Sequence, residues 1–272
     1  MNSVSAPAVD HAGSLNDDRT IAGAIDRWIY VFMALSFIAY TLVGFIPDSM
    51  MKMAMVDAGQ RPPFPAALHV HATLMGAFLL LLLAQTTLMA TGRKQFHQTL
   101  GVAGLALGPA LVIVGFILVP TMYHQVWGGL QAAPPEMKAG MEQGLREFDN
   151  IVLVQIRIGL LFPIFLAIAL LARRTDSGLH KRMMILSIAP ALPAAFDRMT
   201  WLPTTLPASP IAPDLYTLLA IAPMFAWDLI RTRTVHKAYL IWLALFLASS
   251  LVVNLLWNSE WWHATVPKLV GL

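Results

Sequence analysis

Apolar runs alternate with short polar breaks along this chain. Seven runs are long, at residues 27–47, 66–91, 97–119, 150–172, 180–202, 212–230 and 236–257. About twenty residues at 1.5 Å each cross the hydrocarbon core of a bilayer. The pattern predicts an all-α, polytopic membrane bundle of seven transmembrane helices, residues 27–258, of which the sixth is the shortest. Prolines inside the runs (Pro109, Pro163, Pro190, Pro193, Pro223) predict kinks. Pro190 and Pro193 lie within one turn, so the fifth span is expected to bend.

The breaks are informative as well. The longest, 120–149, holds apolar residues at mixed helical spacing over 135–148, which predicts a short interfacial helix on an external loop. The break after the fifth span carries Pro203, Pro207, Pro210 and Pro213 and is expected to be extended. Residues 1–26 are polar and lack the basic-then-apolar order of a cleaved leader; they predict a flexible cytoplasmic tail. Residues 259–272 predict an external C-terminal tail.

Composition narrows the picture. The chain is 57% hydrophobic and 12% charged, against about 25% charged for a soluble domain. The expected partner is therefore the lipid bilayer. The net charge of +3 sits in short loops, where topology needs it, so nucleic acid is not expected. Cysteine is absent from the sequence, which removes disulfides, thiolate metal sites and cysteine nucleophiles. Eleven Lys and Arg fall in the N-terminal tail and even-numbered loops and five on the other side, which predicts a cytoplasmic N-terminus and a periplasmic C-terminus. Trp257, Trp261 and Trp262 then fit an outer aromatic belt.

Histidines carry the candidate chemistry. His97, His180 and His236 each open a run after a basic turn on the inner side. Each alone reads as an interfacial residue in water, and their recurrence also fits an ancestral hairpin repeat. His97 stands above Gly101, Gly104, Gly108 and Gly115 on one helix face. Such a seam leaves room for a flat group, or else lets helices pack closely. Ser187, Ala191 and Ala194 share the face of His180, and both runs head outward, so His97 and His180 are expected to meet at one depth. Arg93 and Arg182 lie nearby, suited to carboxylates at the inner interface. The outer half holds His69, His71, His124, Asp149, Arg157, Asp197 and Arg198. Buried charges need partners, so Arg157 is expected to pair with Asp149 or Asp197, either structurally or as part of a site for an anion, quinone or metal. His69 and His71 point apart on a helix, and His71 is favoured because it shares a face with Gln85.

Two resemblances rest on these residues. His69 or His71, Gln85, Arg93, His97, Leu100 and Gly101, then His180, Lys181, Met184 and Arg198, resemble a group of uncharacterised bacterial multi-pass membrane proteins over residues 66–200. Met183 stands where that group has Trp. This resemblance implies a bacterial inner membrane but no activity. His71-Ala-Thr-Leu-Met, with His97 and His180, is similar to the ascorbate-reducible transmembrane cytochromes b, which pair histidines of alternate helices on haem. That implies one b-type haem between His97 and His180, with His71 needing His124 or another partner because the fourth span opens with Asp149-Asn150. The expected function is haem-binding electron transfer, with quinone or another redox protein as partner. The alternatives are a zinc-dependent membrane hydrolase using outer His and Asp, or a non-catalytic transporter or assembly subunit.

Overall fold

The computed structural model describes residues 20–272. Most of the predicted N-terminal tail therefore lies outside the described residues. The first helix, α1, spans Ile21–Asp57, six residues earlier than the apolar run, because the Thr20 side chain accepts a hydrogen bond from the Gly23 N–H and caps it. It continues through Pro47 to about 55 Å, well beyond one bilayer core. Helix α2 spans Ala66–Ala90 and α3 spans Lys94–Ala132. They are joined by a tight turn in which Gly92 has φ +74°, a conformation that needs glycine.

Helix α4 spans Pro135–Ala172, with proline tolerated at its first position. Residues 120–149 are thus not a loop with an interfacial helix. They are the ends of two long helices that turn at residues 133–134, because Tyr123, Leu130, Leu145 and Val152 bury against one another. The C-terminal tail is likewise helical. Helix α9, Glu260–Leu269, is capped by Ser259 and packs Trp262 and Val266 into the same cluster. Trp257 and Trp262 are buried and donate to the Pro207 and Asp149 carbonyls, so only Trp261 remains exposed for a belt.

The predicted fifth span is broken. Helix α5, Ser177–Leu186, gives way to a 3₁₀ turn, Ala189–Ala191, and a single helical turn α6, Pro193–Phe196. Pro190 and Pro193 lack the N–H that would continue the ladder. Gly44 of α1 lies against the Ala195 carbonyl here, where any side chain would collide. Helix α7 spans Ile211–Thr232 and α8 spans Lys237–Leu256.

Among the described residues the structure is all-helical, with no strands, and five helices (α1, α2, α3, α4 and α8) are long and apolar enough to cross a membrane. Seven such helices are not found. The break removes the fifth run, and the apolar stretch of α7 is flanked by Asp214 at one end and by Asp228 and Arg231 at the other. The main core gathers Phe37, Phe165, Met183, Trp242 and Phe246. Helix α4 is central, 44% buried over its apolar window. Helices α2 and α3 are peripheral, at 17% and 11%.

Candidate functional site: a histidine pair beside an unpartnered polar seam

His97 lies on the first turn of α3, just after the Gly92–Arg93 turn, and His180 on the first turn of α5. Two interactions fix the start of α5. Asp176 caps it by accepting from the Leu179 N–H and also pairs with Lys237 at 2.7 Å. Its carboxyl is held below the usual 3.8 by the Lys237 bond and then by the backbone N–H. His236 caps α8 by accepting from the Ala238 N–H and packs against Gly178. Burial, and then the Arg182 charge, keep its pKa below the usual 6.5.

These constraints bring the two imidazoles together, with ring centroids 6.4 Å apart and planes inclined at 77°. A metal–imidazole nitrogen bond is about 2 Å, with the ring centre about 1 Å beyond. Two imidazoles trans across one metal then hold their centroids roughly 6 Å apart, and at a tetrahedral angle about 5 Å. The observed spacing fits the trans arrangement. His180 Nδ1 lies 2.8 Å from the Ala169 carbonyl of α4. A donated Nδ1–H there leaves Nε2 with a free lone pair, the tautomer in which a histidine ligates metal. His97 Nδ1 is buried with no hydrogen-bond partner.

The spacing of the imidazoles suits two ligands on one metal, but the other residues expected around a haem do not fit one. A Cβ on Gly101 would stand 3.4 Å from Gln85 Nε2, and one on Gly104 3.5 Å from Leu81 Cδ2. The glycines therefore seat α2 against α3 rather than open a porphyrin-wide slot, since small residues let backbones approach. Arg182 is not free for a propionate. It forms a bidentate pair with Asp228 of α7 at 2.6 and 2.7 Å and donates to the Gly178 carbonyl, while the Tyr239 hydroxyl donates to the same carboxylate. Arg93 is exposed at the turn beside His97.

The expected outer set does not assemble. Arg157 pairs with neither Asp149 nor Asp197. Both its terminal nitrogens bind Asp214 of α7, at 2.7 and 2.5 Å, and Ser250 donates to that carboxylate. Asp149 accepts from the Tyr123 hydroxyl at 2.7 Å and faces His263 Nδ1 at 2.8 Å, tying α9 to α3 and α4. Arg198 pairs with Asp48 at 3.3 Å. Asp197 is exposed and lines, with Arg157, a cavity of about 30 Å³, enough for one water. His69 is exposed against Phe64. His124 contacts the Val270 carbonyl, not His71. Among the described residues no three His, Cys, Asp or Glu side chains are placed to hold a metal, so the outer zinc centre with His71 lacks its donors.

Two residues carrying structure escaped the sequence reading. Asp228 lies fourteen residues after Asp214, on the same face of α7, and two acids on one face of an apolar run require cationic partners. His263 is buried on Asp149. Comparison with known proteins finds no counterpart, since no family profile, no curated protein and no solved structure matches this chain.

Proposed function

We propose that this chain is a bacterial inner-membrane redox protein that holds one b-type haem between His97 and His180, with the broken α5–α6 segment and α7 completing seven passes. The observation that carries the reading is the 6.4 Å separation of two imidazoles, one with its tautomer set by a backbone carbonyl. A haem held by His97 and His180 would supply one-electron transfer, with those residues and burial setting its potential. The roles of the protein residues follow from their contacts. Ala169 orients His180 through its carbonyl. Asp176, Lys237 and the Arg182–Asp228 pair hold α5 against α7 and α8, which fixes where His180 stands. Arg93 is the cation left to face a propionate. The resemblance to the ascorbate-reducible cytochromes b supports the haem reading. The resemblance to the uncharacterised bacterial group supports only the inner membrane, and the distribution of Lys and Arg only a cytoplasmic N-terminus.

The experiment is direct. The full-length protein, purified in detergent from cells supplied with haem precursor, is expected to carry about one haem per chain, with a six-coordinate low-spin spectrum in both oxidation states. A protein that is colourless after haem supplementation contradicts the proposal.

A further inference from the structure

The seam between α2 and α3 holds buried polar atoms that the histidine pair does not use. Gln85 is 8% exposed, and neither its Oε1 nor its Nε2 has a partner. It faces Gly101, where a Cβ would stand 3.4 Å from the amide nitrogen. His97 lies one turn before Gly101 on the same face of α3, and its Nδ1 is also buried and unpartnered. An apolar interior leaves such groups unbonded only at a cost, so each calls for a missing partner. The two lie about one helical turn apart, roughly 5 Å along the axis. Two N–H donors about that far apart can both reach one carbonyl oxygen, whose two lone pairs each accept at about 2.9 Å.

The surroundings select the ligand class. Helices α2 and α3 are the least buried of the five long apolar helices, and Leu80, Val102 and Leu105 lie exposed along them. A ligand reaching this seam arrives through an apolar medium. Gly101 adds no side chain in front of the amide. The amide and an imidazole Nδ1–H both donate, which suits an uncharged carbonyl oxygen with its two lone pairs. We infer that the α2–α3 seam binds a quinone headgroup, with the Gln85 amide and the His97 Nδ1–H both donating to one of its carbonyl oxygens. This choice of a redox-active carbonyl ring rests on the redox reading, but the binding groups do not require the iron. His97 then uses Nδ1 for the quinone and keeps Nε2 for the pair with His180.

The test is equilibrium binding of decylubiquinone to the purified full-length protein in nanodiscs, with empty nanodiscs as the partition control. Wild type is expected to show saturable binding above the control. Gln85→Leu is expected to weaken it about tenfold, the loss of one hydrogen bond, while leaving the haem spectrum unchanged. Gln85→Met, which keeps the length and removes the amide donor, provides a second variant should the leucine variant fold poorly, and is expected to weaken binding likewise. Wild-type uptake equal to empty nanodiscs, or equal binding by folded Gln85 variants, overturns the inference. Gln85-dependent binding in a protein without haem keeps the quinone site and contradicts the haem reading alone. A haem spectrum with no Gln85-dependent binding does the reverse.

Discussion

Along α7 both buried acids have full sets of partners, whereas along the α2–α3 seam His71, Gln85 and His97 carry buried polar atoms that have none. Asp214 and Asp228 sit at opposite ends of one helix face. Each receives an arginine in bidentate geometry and one hydroxyl, from Ser250 and Tyr239 respectively. These pairs fasten α7 to α4 at one end and to α5 at the other. The seam stacks glycines against His71, Gln85 and Leu81 and leaves the polar atoms unanswered. Satisfied charges in a bundle core hold helices in place. Unsatisfied ones destabilise the chain that carries them unless something else binds there, and this separates the candidate site from the scaffold.

The contrast predicts mutations of opposite sign. Removing one partner of a buried ion pair strands the other, at about 3–5 kcal/mol. Asp214→Ala is therefore expected to lower thermal stability by that much, and Arg157→Met with Asp214→Leu to recover most of it. A single variant as stable as wild type breaks the comparison. Gln85→Leu removes a buried amide with no partner. It is expected to leave the ligand-free protein as stable as wild type or up to about 2 kcal/mol more stable, measured by the same unfolding assay. A clear loss of stability there means that Gln85 is a satisfied structural residue.

The apolar runs reveal where helices lie because burial and lipid contact are read directly from side-chain type. The boundaries are less legible because capping and packing decide them. Residues 120–149 look like a loop by polarity, yet Tyr123, Leu145 and Val152 draw both halves into one helical hairpin. The meeting of His97 and His180 was readable, since both follow basic turns on spans of the same direction. The partner of Arg157 was not, because the choice between Asp149, Asp197 and Asp214 depends on how α7 packs on α4, which the spacing along one chain does not encode. The glycine face was visible, but its two uses, seating a helix or opening a slot, share one pattern.

A smaller effect concerns the cap that braces the His180 helix. His236 accepts from the Ala238 N–H through Nδ1, so protonation there removes the cap. Its folded pKa lies below the usual 6.5, so the unfolded chain takes up the proton first. The cap's contribution is complete above about pH 6.5 and is lost as pH falls through the lower folded value. His236→Ala is expected to cost roughly 0.5–2 kcal/mol at pH 8 and to flatten the fall in stability below pH 6.5. An unchanged pH profile in the variant removes this role.

The central claim is that His97 and His180 act as one pair, and their single variants test it most directly. Absorption spectra of haem-supplemented wild type, His97→Ala and His180→Ala are recorded side by side, with folding verified by thermal unfolding. The account predicts a low-spin, six-coordinate haem in wild type and its loss or conversion to a five-coordinate form in both variants. A low-spin spectrum that survives either substitution unchanged contradicts it.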